Sequence, residues 1–520
     1  MKNITNYLIA CVLALMSFGC TDDLNTEPLV DLSLEELLSR DPQAVEGILS
    51  RLYASYALSG PDGPSSSDIS DDAGESPFLR GIINLQDFTA DAMKNRWGDD
   101  GLDQLTTTSN WTSGNKFFRY LYNRAYYTIP QCNNLINVLG NVDIQDEAIV
   151  TSEVRFLRAL AYYYLIDTFG KGVLVTENEA GQTSPLPEAS RTELFNYVES
   201  ELLEIEPLLP STNDYGRATN AVAQMLLAKL YINAEVYTGT SRWDDAATYV
   251  NKIINEGGFS LASDFRMLFS GDNDMNGAQN EIIFPLIADA AISQSFGNTT
   301  YIVNGSLSTE TLNPNDFGAT QGWTGHRSSK AWYGLFGANV NELQVSPDVR
   351  ASLFWTPGHT FEMEDYREWT NGFPSTKFRN SNFNETSVST DFSGTDFPLY
   401  RLGDVYLMYA ELALRGAANT NTNDALTFVN SVRTRSGANA ISQSELNLEF
   451  IIDERGRELN LEGHRRTDLI RFGMFTGSSY IWPWKGNTAE GTAIPDTYNL
   501  FPIPFTAIQA NPNLTQNPGY

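Results

Sequence analysis

Residues 245–251 read DAATYVN and residues 424–430 read DALTFVN, so one seven-residue pattern recurs in two distant parts of the chain. Each copy follows a helix-like run that carries an Ala-Glu pair, at Ala234-Glu235 and at Ala410-Glu411. Closely packed helix pairs need small alanines at the crossing and an aromatic ring three positions later. The repeat, with Trp243 opening its first copy, predicts a tetratricopeptide-like scaffold; two unrelated amphipathic helices are the alternative.

Helical periodicity extends over much of the chain. In residues 153–169 apolar side chains recur at three- and four-residue intervals, and Gly170 is placed to end the helix. The other helix-like runs are residues 32–57, 116–138, 191–208, 218–237, 243–255, 402–415, 423–435 and 445–461. They form two groups, 116–257 and 402–472, with a long irregular region between them.

Residues 258–400 differ in composition, because Gly, Asn, Ser, Thr and Asp dominate and only short apolar runs such as 282–287 and 301–303 interrupt them. This composition predicts long loops with a few short strands. We therefore expect a mostly α fold, with tetratricopeptide-like helix pairs in residues 31–257 and 401–520, the latter including a capping tail. Residues 258–400, called the insertion below, would carry the binding loops.

Composition limits the possible partners. The 520 residues include 34 Lys+Arg and 64 Asp+Glu, a formal charge of −30, and 12% of them are aromatic. So many rings can bury a large core, which excludes a disordered chain. A strongly acidic surface repels phosphate backbones and anionic headgroups, which argues against nucleic acid and leaves neutral ligands open.

The N-terminus has the pattern of a lipoprotein signal. Lys2 precedes an apolar run at residues 8–18, which is too short to span a bilayer, and residues 17–20 read SFGC. We expect residues 1–19 to be a signal peptide, Cys20 to be lipidated, and residues 20–30 to form an acidic tether. An ordinary cleaved signal is the alternative. Processing would leave Cys132 as the only unmodified thiol.

Catalytic motifs are absent from the sequence. It contains no Gly-x-Ser-x-Gly elbow, HExxH helix, Walker loop or dinucleotide-binding glycine pattern. His326, His359 and His464 are scattered, and pairs such as Asp99-Asp100 carry little information in so acidic a chain. The sequence therefore favours a protein that is not an enzyme and has no cofactor.

Residues 272–277, DNDMNG, resemble the opening of a calcium loop. Ile283 stands where an EF-hand needs its bidentate Glu, so an EF-hand is not expected. A plain turn is one interpretation, and a calcium ion held by Asp272 and Asp274 is the other.

Aromatic residues in or beside loop-like sequence indicate a binding surface. Flat rings offer broad apolar area at low entropic cost, and sugars present apolar C–H faces beside hydroxyl groups. We expect most of these rings to be core anchors and about a third to face a ligand. The set is Trp97, Trp111, Tyr301, Trp323, Trp332, Trp355, Trp369, Trp482 and Trp484.

Five separated motifs, in order, resemble the SusD/RagB family. They are RFLRAL at 155–160 with DTFG at 167–170, YRLGDVYL at 400–407, DERGREL at 453–459 continuing to 473, YNLFPIP at 498–504, and QNPGY at 516–520. The resemblance covers essentially the whole chain. It implies an outward-facing, lipid-anchored outer-membrane protein that binds glycans and acts as the lid of a SusC-like TonB-dependent transporter. It also implies that Arg155, Arg158, Glu458 and Arg465 form charge pairs between helices.

The resemblance extends to the starch-binding type within the family. Residues 74–76 with Arg80, Trp97, residues 299–303 and Gly322-Trp323 match that type. It implies that Trp97, Tyr301 and Trp323 cradle an α-glucan, with Arg80 and Asp72 as hydrogen-bonding partners. Two positions depart from the type: Asp100 replaces an Asn, and Asn95 replaces a Trp. The platform would then be narrower, or shaped for another glucan.

Our preferred hypothesis is a glycan-binding lipoprotein for α-glucan of the starch or glycogen type. A laminarin-type β-1,3-glucan or another glycan in the same role is the first alternative. A surface glycoside hydrolase and a scaffold that binds only protein are the others.

Overall fold

The computed structural model describes residues 32–69, 72–179, 181–384 and 387–520. The predicted signal peptide, the tether and Cys20 lie outside these residues. The described residues form eighteen α-helices. They are α1 Leu34–Arg40, α2 Ala44–Ala57, α3 Phe78–Ile82, α4 Leu102–Thr106, α5 Lys116–Leu139, α6 Glu147–Thr168, α7 Arg191–Ile205, α8 Asn220–Ile232, α9 Ala234–Thr238, α10 Trp243–Glu256, α11 Thr299–Ser306, α12 Lys330–Tyr333, α13 Val340–Gln344, α14 Leu402–Leu414, α15 Thr422–Arg435, α16 Leu448–Leu459, α17 Arg465–Arg471 and α18 Phe505–Ala510.

Strands are few and short. They form three two-stranded antiparallel sheets: β1 Met93–Asn95 with β5 His326–Ser328, β2 Gly172–Val173 with β3 Glu188–Ala189, and β4 Ile282–Leu286 with β6 Phe397–Arg401. A π-helix, Ile83–Phe88, continues α3. Short 3₁₀ turns lie at Glu177–Glu179, Phe265–Phe269, Ala278–Asn280, Pro314–Phe317, Val349–Leu353, Lys485–Asn487 and Asp496–Asn499.

Polar side chains at the N-caps determine where several helices begin. Ser33 and Ser190 each form a capping box, with Glu36 and Glu193 respectively, at the starts of α1 and α7. Asn115 caps α5 in the simpler way, because its side-chain oxygen accepts the backbone N–H of Phe117 at 2.9 Å. These local signals explain why the predicted starts of α5 and α7 agree with the structure.

The two helix groups are separate in sequence but contiguous in space. α5 packs against α6, α6 against α7, α7 against α8 and α8 against α10. α10 then packs against α14, which also contacts α15 and α16. One row of paired helices therefore forms the scaffold, and the insertion leaves it after α10 and returns at β6.

The internal repeat corresponds to equivalent packing in two helix pairs. Ala246 of α10 and Ala425 of α15 are fully buried. Tyr249 stacks on Tyr231 of α8 with ring centroids 5.9 Å apart. In the second copy Phe428 stacks in the same way on Tyr406 of α14, at 4.5 Å. This common packing agrees with the tetratricopeptide-like prediction.

Three predicted elements differ from the structure. Residues 32–57 form two helices, because the chain turns at Asp41-Pro42 between α1 and α2. Residues 218–237 are interrupted at Asn233, whose side chain donates to the carbonyl of Lys229 at 2.8 Å. Residues 301–303, predicted as a short strand, lie in α11; Asn298 caps that helix, and burial on all sides outweighs the strand preference of Ile302 and Val303.

The structure confirms charge pairs between helices for Arg155, Arg158 and Glu458, the last with Arg435 of α15. The partner of Arg465 lies outside the helices, in the bend before β1. Arg155 and Arg158 of α6 both contact Glu201 of α7, with N–O distances of 2.8 and 2.7 Å. Arg465 of α17 contacts Asp91 at 2.7 Å. These residues join neighbouring elements of the scaffold.

Two further observations bear on location and chemistry. None of the described helices is long and apolar enough to cross a membrane. Cys132 on α5 is a buried free thiol, and burial raises its pKa to about 12, so it is not activated as a nucleophile.

Candidate functional site

The short β1–β5 sheet brings together two segments that lie more than two hundred residues apart. Beyond the paired strands, the backbone N–H of Arg96 donates to the carbonyl of Gly325 at 3.1 Å. The indole Nε1–H of Trp97 donates to the carbonyl of Trp323 at 3.0 Å. The sheet and this hydrogen bond fix the Trp97 ring relative to the Trp323 segment.

Trp97 and Trp323 form an aromatic platform, the name used below for this pair. Their ring centroids are 6.4 Å apart and the planes are inclined by 51°. Both residues are half-buried and pack against the hydrophobic core, so the pair is neither fully buried nor fully exposed. The backbone N–H of Trp323 donates to the carbonyl of Asn304 at 2.7 Å, which ties the platform to α11.

Tyr301 lies close to the platform but does not form part of its exposed surface. Its ring centroid is 6.0 Å from that of Trp97, yet the residue is 0% exposed. Its hydroxyl donates to Oδ1 of Asn84 at 2.7 Å, and burial raises its pKa. The expectation of a solvent-facing Tyr301 is therefore wrong for this structure: the ring sits on α11, whose eight residues are all buried.

His326 supports the platform from inside. Its ring centroid is 5.2 Å from Trp97 and 4.6 Å from Tyr301. Burial lowers its pKa well below the usual value, so the imidazole is neutral and packs as a ring. Two glycines make room here, since a Cβ on Gly305 would lie 2.2 Å from the His326 ring and one on Gly325 would lie 2.5 Å from the Trp97 indole.

Arg80 is the cation of the site, and it lies mostly beneath the surface. Its guanidinium carbon is 4.4 Å from the ring centroid of Tyr301 and 6.0 Å from that of Trp97. The Nη1 donates to the carbonyl of Gly74 at 3.1 Å, and Nη2 is 3.7 Å from Glu75 and 3.9 Å from Asp99. Only 7% of Arg80 is exposed, so it supports the rings by cation–π contact and can reach a ligand only at its edge.

Glu75 connects Arg80 to a second cation. Nζ of Lys116 lies 2.7 Å from its carboxylate. Burial alone would lower the pKa of Lys116, but the hydrogen bond and charge of Glu75 raise it above the usual value. Arg80, Glu75 and Lys116 thus form a small cluster of charges beneath the Trp97 end of the platform.

The other predicted polar residues lie at the edge of the site. Asp72 is exposed, and its Oδ1 accepts the backbone N–H of Glu75 at 2.9 Å. Asp100 is exposed in the turn that follows Trp97. Asn95 is fully buried, and its Oδ1 accepts the backbone N–H of Trp97 at 2.7 Å, so it shapes the backbone and does not widen the platform.

Two phenylalanines that the sequence analysis did not select adjoin the platform. The ring centroid of Phe296 is 6.4 Å from that of Trp323, and Phe392 lies 5.0 Å beyond Phe296. Both are half-buried. No sequence pattern marks them, since each is a single Phe within loop sequence. They are identified only by the ring contacts of Phe296 with Trp323 and of Phe392 with Phe296.

Among the tryptophans of the sequence analysis, Trp111, Trp332, Trp369 and Trp482 are buried core residues. Trp355 and Trp484 are half-buried, and their indole N–H groups donate to the carbonyls of Thr311 and Met363. Within the predicted aromatic set, Trp97 and Trp323 are the half-buried pair in mutual ring contact.

The DNDMNG segment forms a hydrogen-bonded turn. Oδ1 of Asp272 accepts from the backbone N–H of Phe383 at 2.9 Å and from the Asn276 side chain at 3.1 Å. The described residues contain no group of three or more His, Cys, Asp and Glu side chains suited to hold a metal ion. The hydrogen bonds of Asp272 agree with the turn interpretation of this segment.

Comparison with known proteins identifies the family. A model of the SusD family matches residues 351–520. The chain is 31% identical to the starch-binding protein SusD of Bacteroides thetaiotaomicron, an alignment that covers 100% of this chain and 99% of the relative. It is also 26% identical to the SusD-like protein P25 of Formosa agariphila, over 99% of this chain and 98% of that one.

A solved structure shows the same fold. Surface glycan-binding protein A of Bacteroides thetaiotaomicron, in complex with laminarihexaose, superposes with a TM-score of 0.68 at 21% identity, covering 92% of this chain and 99% of that chain. The mostly helical, tetratricopeptide-like prediction is thereby confirmed. On the full-length identity to the starch-binding relative, this chain belongs to the SusD family.

Proposed function

We propose that the protein is a non-catalytic, cell-surface lipoprotein that captures α-glucan of the starch or glycogen type. The observation that carries the proposal is the Trp97–Trp323 platform, two half-buried rings 6.4 Å apart that are fixed by an indole hydrogen bond. Inclined rings of this kind match a curved sugar chain better than a flat one, because successive sugar faces then change direction.

Binding occurs by stacking and by hydrogen bonds at the edge. The platform rings cover the apolar C–H faces, and the exposed carboxylates of Asp72 and Asp100 accept from sugar hydroxyls. An open, wet surface of this type gives weak affinity per site, on the order of micromolar to millimolar. Several copies on one cell surface compensate by avidity.

The relatives support a glycan and differ in its linkage. The 31% identical relative is named a starch-binding protein, which favours α-glucan. The structural neighbour that holds laminarihexaose makes a β-1,3-glucan the second candidate. Because Tyr301 is fully buried, the platform is narrower than a cradle of three rings. We therefore test the β-1,3-glucan beside the α-glucan.

Location and delivery belong to the same proposal. Residues 1–19 act as signal peptide, Cys20 carries the lipid, and residues 20–30 tether the body to the outer membrane, facing outward. Helical parts 31–257 and 401–520 form the scaffold, and the insertion 258–400 contributes Trp323 to the platform. The protein passes its glycan to a SusC-like TonB-dependent transporter.

Affinity electrophoresis and calorimetry on the soluble form without its lipid anchor, residues 21–520, test the ligand. We expect retention by amylopectin and glycogen but not by xylan, and loss of retention in Trp97→Ala and Trp323→Ala. Trp243→Ala is the matched control, because Trp243 is a half-buried indole on α10 that lies against Arg415 of the scaffold. Preferential retention by laminarin would show that the ligand is the β-1,3-glucan and not the α-glucan.

The remaining alternatives give different results in the same assay. A glycoside hydrolase would release reducing ends and would lose that activity when a single carboxylate is changed. A scaffold that binds only protein would show no glycan retention at all.

A further inference from the structure

The aromatic surface continues beyond the Trp97–Trp323 platform. The ring centroids of Trp97, Trp323, Phe296 and Phe392 follow one another at 6.4, 6.4 and 5.0 Å. The plane of Phe296 is inclined by 48° to Trp323 and by 50° to Phe392. Both phenylalanines are half-buried, so each ring keeps an accessible portion. We call these two residues the phenylalanine pair.

Phe296 is held in place by α3, the short helix that carries Arg80. The backbone N–H of Arg80 donates to the carbonyl of Gly297 at 3.0 Å. A Cβ on Gly297 would lie 2.3 Å from Cγ of Pro77, so only glycine permits this approach. The residue before the ring, Ser295, is fully buried. The Phe296 backbone is therefore anchored on both sides.

Phe392 is anchored by side chains of the insertion. Its carbonyl accepts the Thr390 hydroxyl at 2.7 Å, and the next backbone N–H, of Ser393, donates to the hydroxyl of Thr300 on α11 at 2.9 Å. Ser393 and Thr300 are buried. Because α11 also holds Trp323 through Asn304, one helix positions the platform and the phenylalanine pair.

Polar groups border the pair as they border the platform. A Cβ placed on Gly74 would lie 3.5 Å from Cβ of Phe296 and 3.6 Å from Oδ1 of Asp72, so both side chains lie next to Gly74. Next to Phe392, Asp391 is exposed and accepts the Thr320 hydroxyl, and its carbonyl accepts from the Asn304 side chain at 3.4 Å. Apolar rings bordered by carboxylates suit the C–H faces and hydroxyls of a sugar.

Resting on the function proposed above, we propose that Phe296 and Phe392 form an additional subsite for the same glucan, next to Trp323. A short oligosaccharide fills the platform alone, and a longer one continues over the phenylalanine pair. Phe has no hydrogen-bonding group, so the subsite adds affinity by stacking and does not read the linkage. The protein therefore selects for chain length.

Calorimetry of the soluble form, residues 21–520, with maltotriose and maltoheptaose tests the subsite. We expect Phe392→Ala to weaken maltoheptaose binding about two- to tenfold, the effect of one lost ring contact, and to leave maltotriose binding unchanged. Phe392→Leu keeps apolar volume but removes the flat ring, so it gives the same result with less risk to the fold. Phe505→Ala, at an exposed Phe on α18, is the control that changes neither affinity.

Two outcomes would overturn the subsite while leaving the proposed function intact. Phe392→Ala and Phe392→Leu could bind both oligosaccharides as the wild type does, or could lose affinity for both equally, while Trp323→Ala abolishes binding. If the wild-type chain binds neither oligosaccharide, that result contradicts the proposed α-glucan function itself, and the subsite with it.

Discussion

Replacing Gly325 by alanine should disable the platform without unfolding the protein. An added Cβ would lie 2.5 Å from Cε2 and Cζ2 of Trp97 and 2.9 Å from its Nε1. Non-bonded carbons approach to about 3.5–4.0 Å, so the indole must move by about 1 Å or more. The indole is rigid and is tied to the carbonyl of Trp323 through Nε1, so this movement breaks or weakens that hydrogen bond.

The expected loss of binding follows from two contacts. The hydrogen bond to Trp323 contributes about 0.5–1.5 kcal/mol to the placement of the ring, and one stacking contact with a sugar contributes a similar amount. Together they give about 1–3 kcal/mol, which weakens glycan binding about fivefold to 150-fold. Overpacking costs about 1–3 kcal/mol of folding free energy, which is less than the stability of a typical domain.

Calorimetric titration with maltoheptaose measures this effect, with thermal unfolding as the check on the fold. Gly98→Ala is the matched control, because Gly98 directly follows Trp97 and a Cβ there would meet nothing within 4 Å. We expect the control to change binding and stability by less than about 0.5 kcal/mol. If Gly325→Ala binds maltoheptaose as tightly as Gly98→Ala does, the placement of the Trp97 ring is not what determines affinity.

Three other substitutions test separate features. Tyr301→Phe removes the hydroxyl bound to Asn84 and should lower the free energy of unfolding by about 1–3 kcal/mol while changing glycan affinity less than threefold; a loss like that of Trp323→Ala would mean that the ligand contacts Tyr301. Burial raises the pKa of Asp396 to about 7, so its folded form binds protons more tightly than its unfolded form and stability falls as pH rises from about 4 to 7. The free energy of unfolding of Asp396→Asn, measured with urea and compared with that of wild type, should therefore be about 2–3 kcal/mol more favourable to the variant at pH 8 than at pH 5. An equal difference at both pH values would contradict this assignment. Glu458→Gln should cost about 3–5 kcal/mol of stability, because three buried arginines share this carboxylate. The control Glu362→Gln loses only an exposed ion pair with Lys330 and should lower the free energy of unfolding by less than about 1 kcal/mol. Similar losses in Glu458→Gln and Glu362→Gln would show that the buried ion pairs stabilise the fold no more than an exposed pair does.

The scaffold could be predicted from the sequence because its signals are local. The paired alanines and aromatics of residues 245–251 and 424–430 specify a helix crossing wherever they occur, and both crossings are present. What the sequence could not show is that α10 packs against α14, since these helices are separated by the whole insertion. Contact over that distance depends on how the insertion folds back, for which no periodic pattern exists.

The site was only partly predictable for a related reason. Family resemblance indicated Trp97, Tyr301, Trp323 and Arg80, and the structure places these four side chains together. Resemblance carries residue identity but not exposure. Whether Tyr301 faces solvent depends on the burial of α11, which is settled by tertiary packing alone.

The insertion has little regular structure, and buried ion pairs hold it to the scaffold instead of a large sheet. Arg401 at the end of β6 contacts Glu281 of the insertion at 3.1 Å and Glu458 of α16 at 2.7 Å. Arg350, also from the insertion, contacts Glu458 at 2.8 Å, and Lys377 contacts Glu462. Burial opposes ionisation of Glu458, but the three arginines around it lower its pKa below the usual value, so the carboxylate stays charged and every pair is kept.

Such pairs are costly to break one at a time, because each loss leaves a buried charge without a partner. They therefore fix the insertion in one position even where its backbone forms only loops. Trp323 and the phenylalanine pair lie in this insertion, whereas Trp97 and Arg80 come from the N-terminal helical part. Two halves of a binding surface keep a constant separation only if the parts that carry them are joined rigidly. On the function proposed above, the buried charges serve binding indirectly: rings that are held in place before the glycan arrives lose less entropy when it binds.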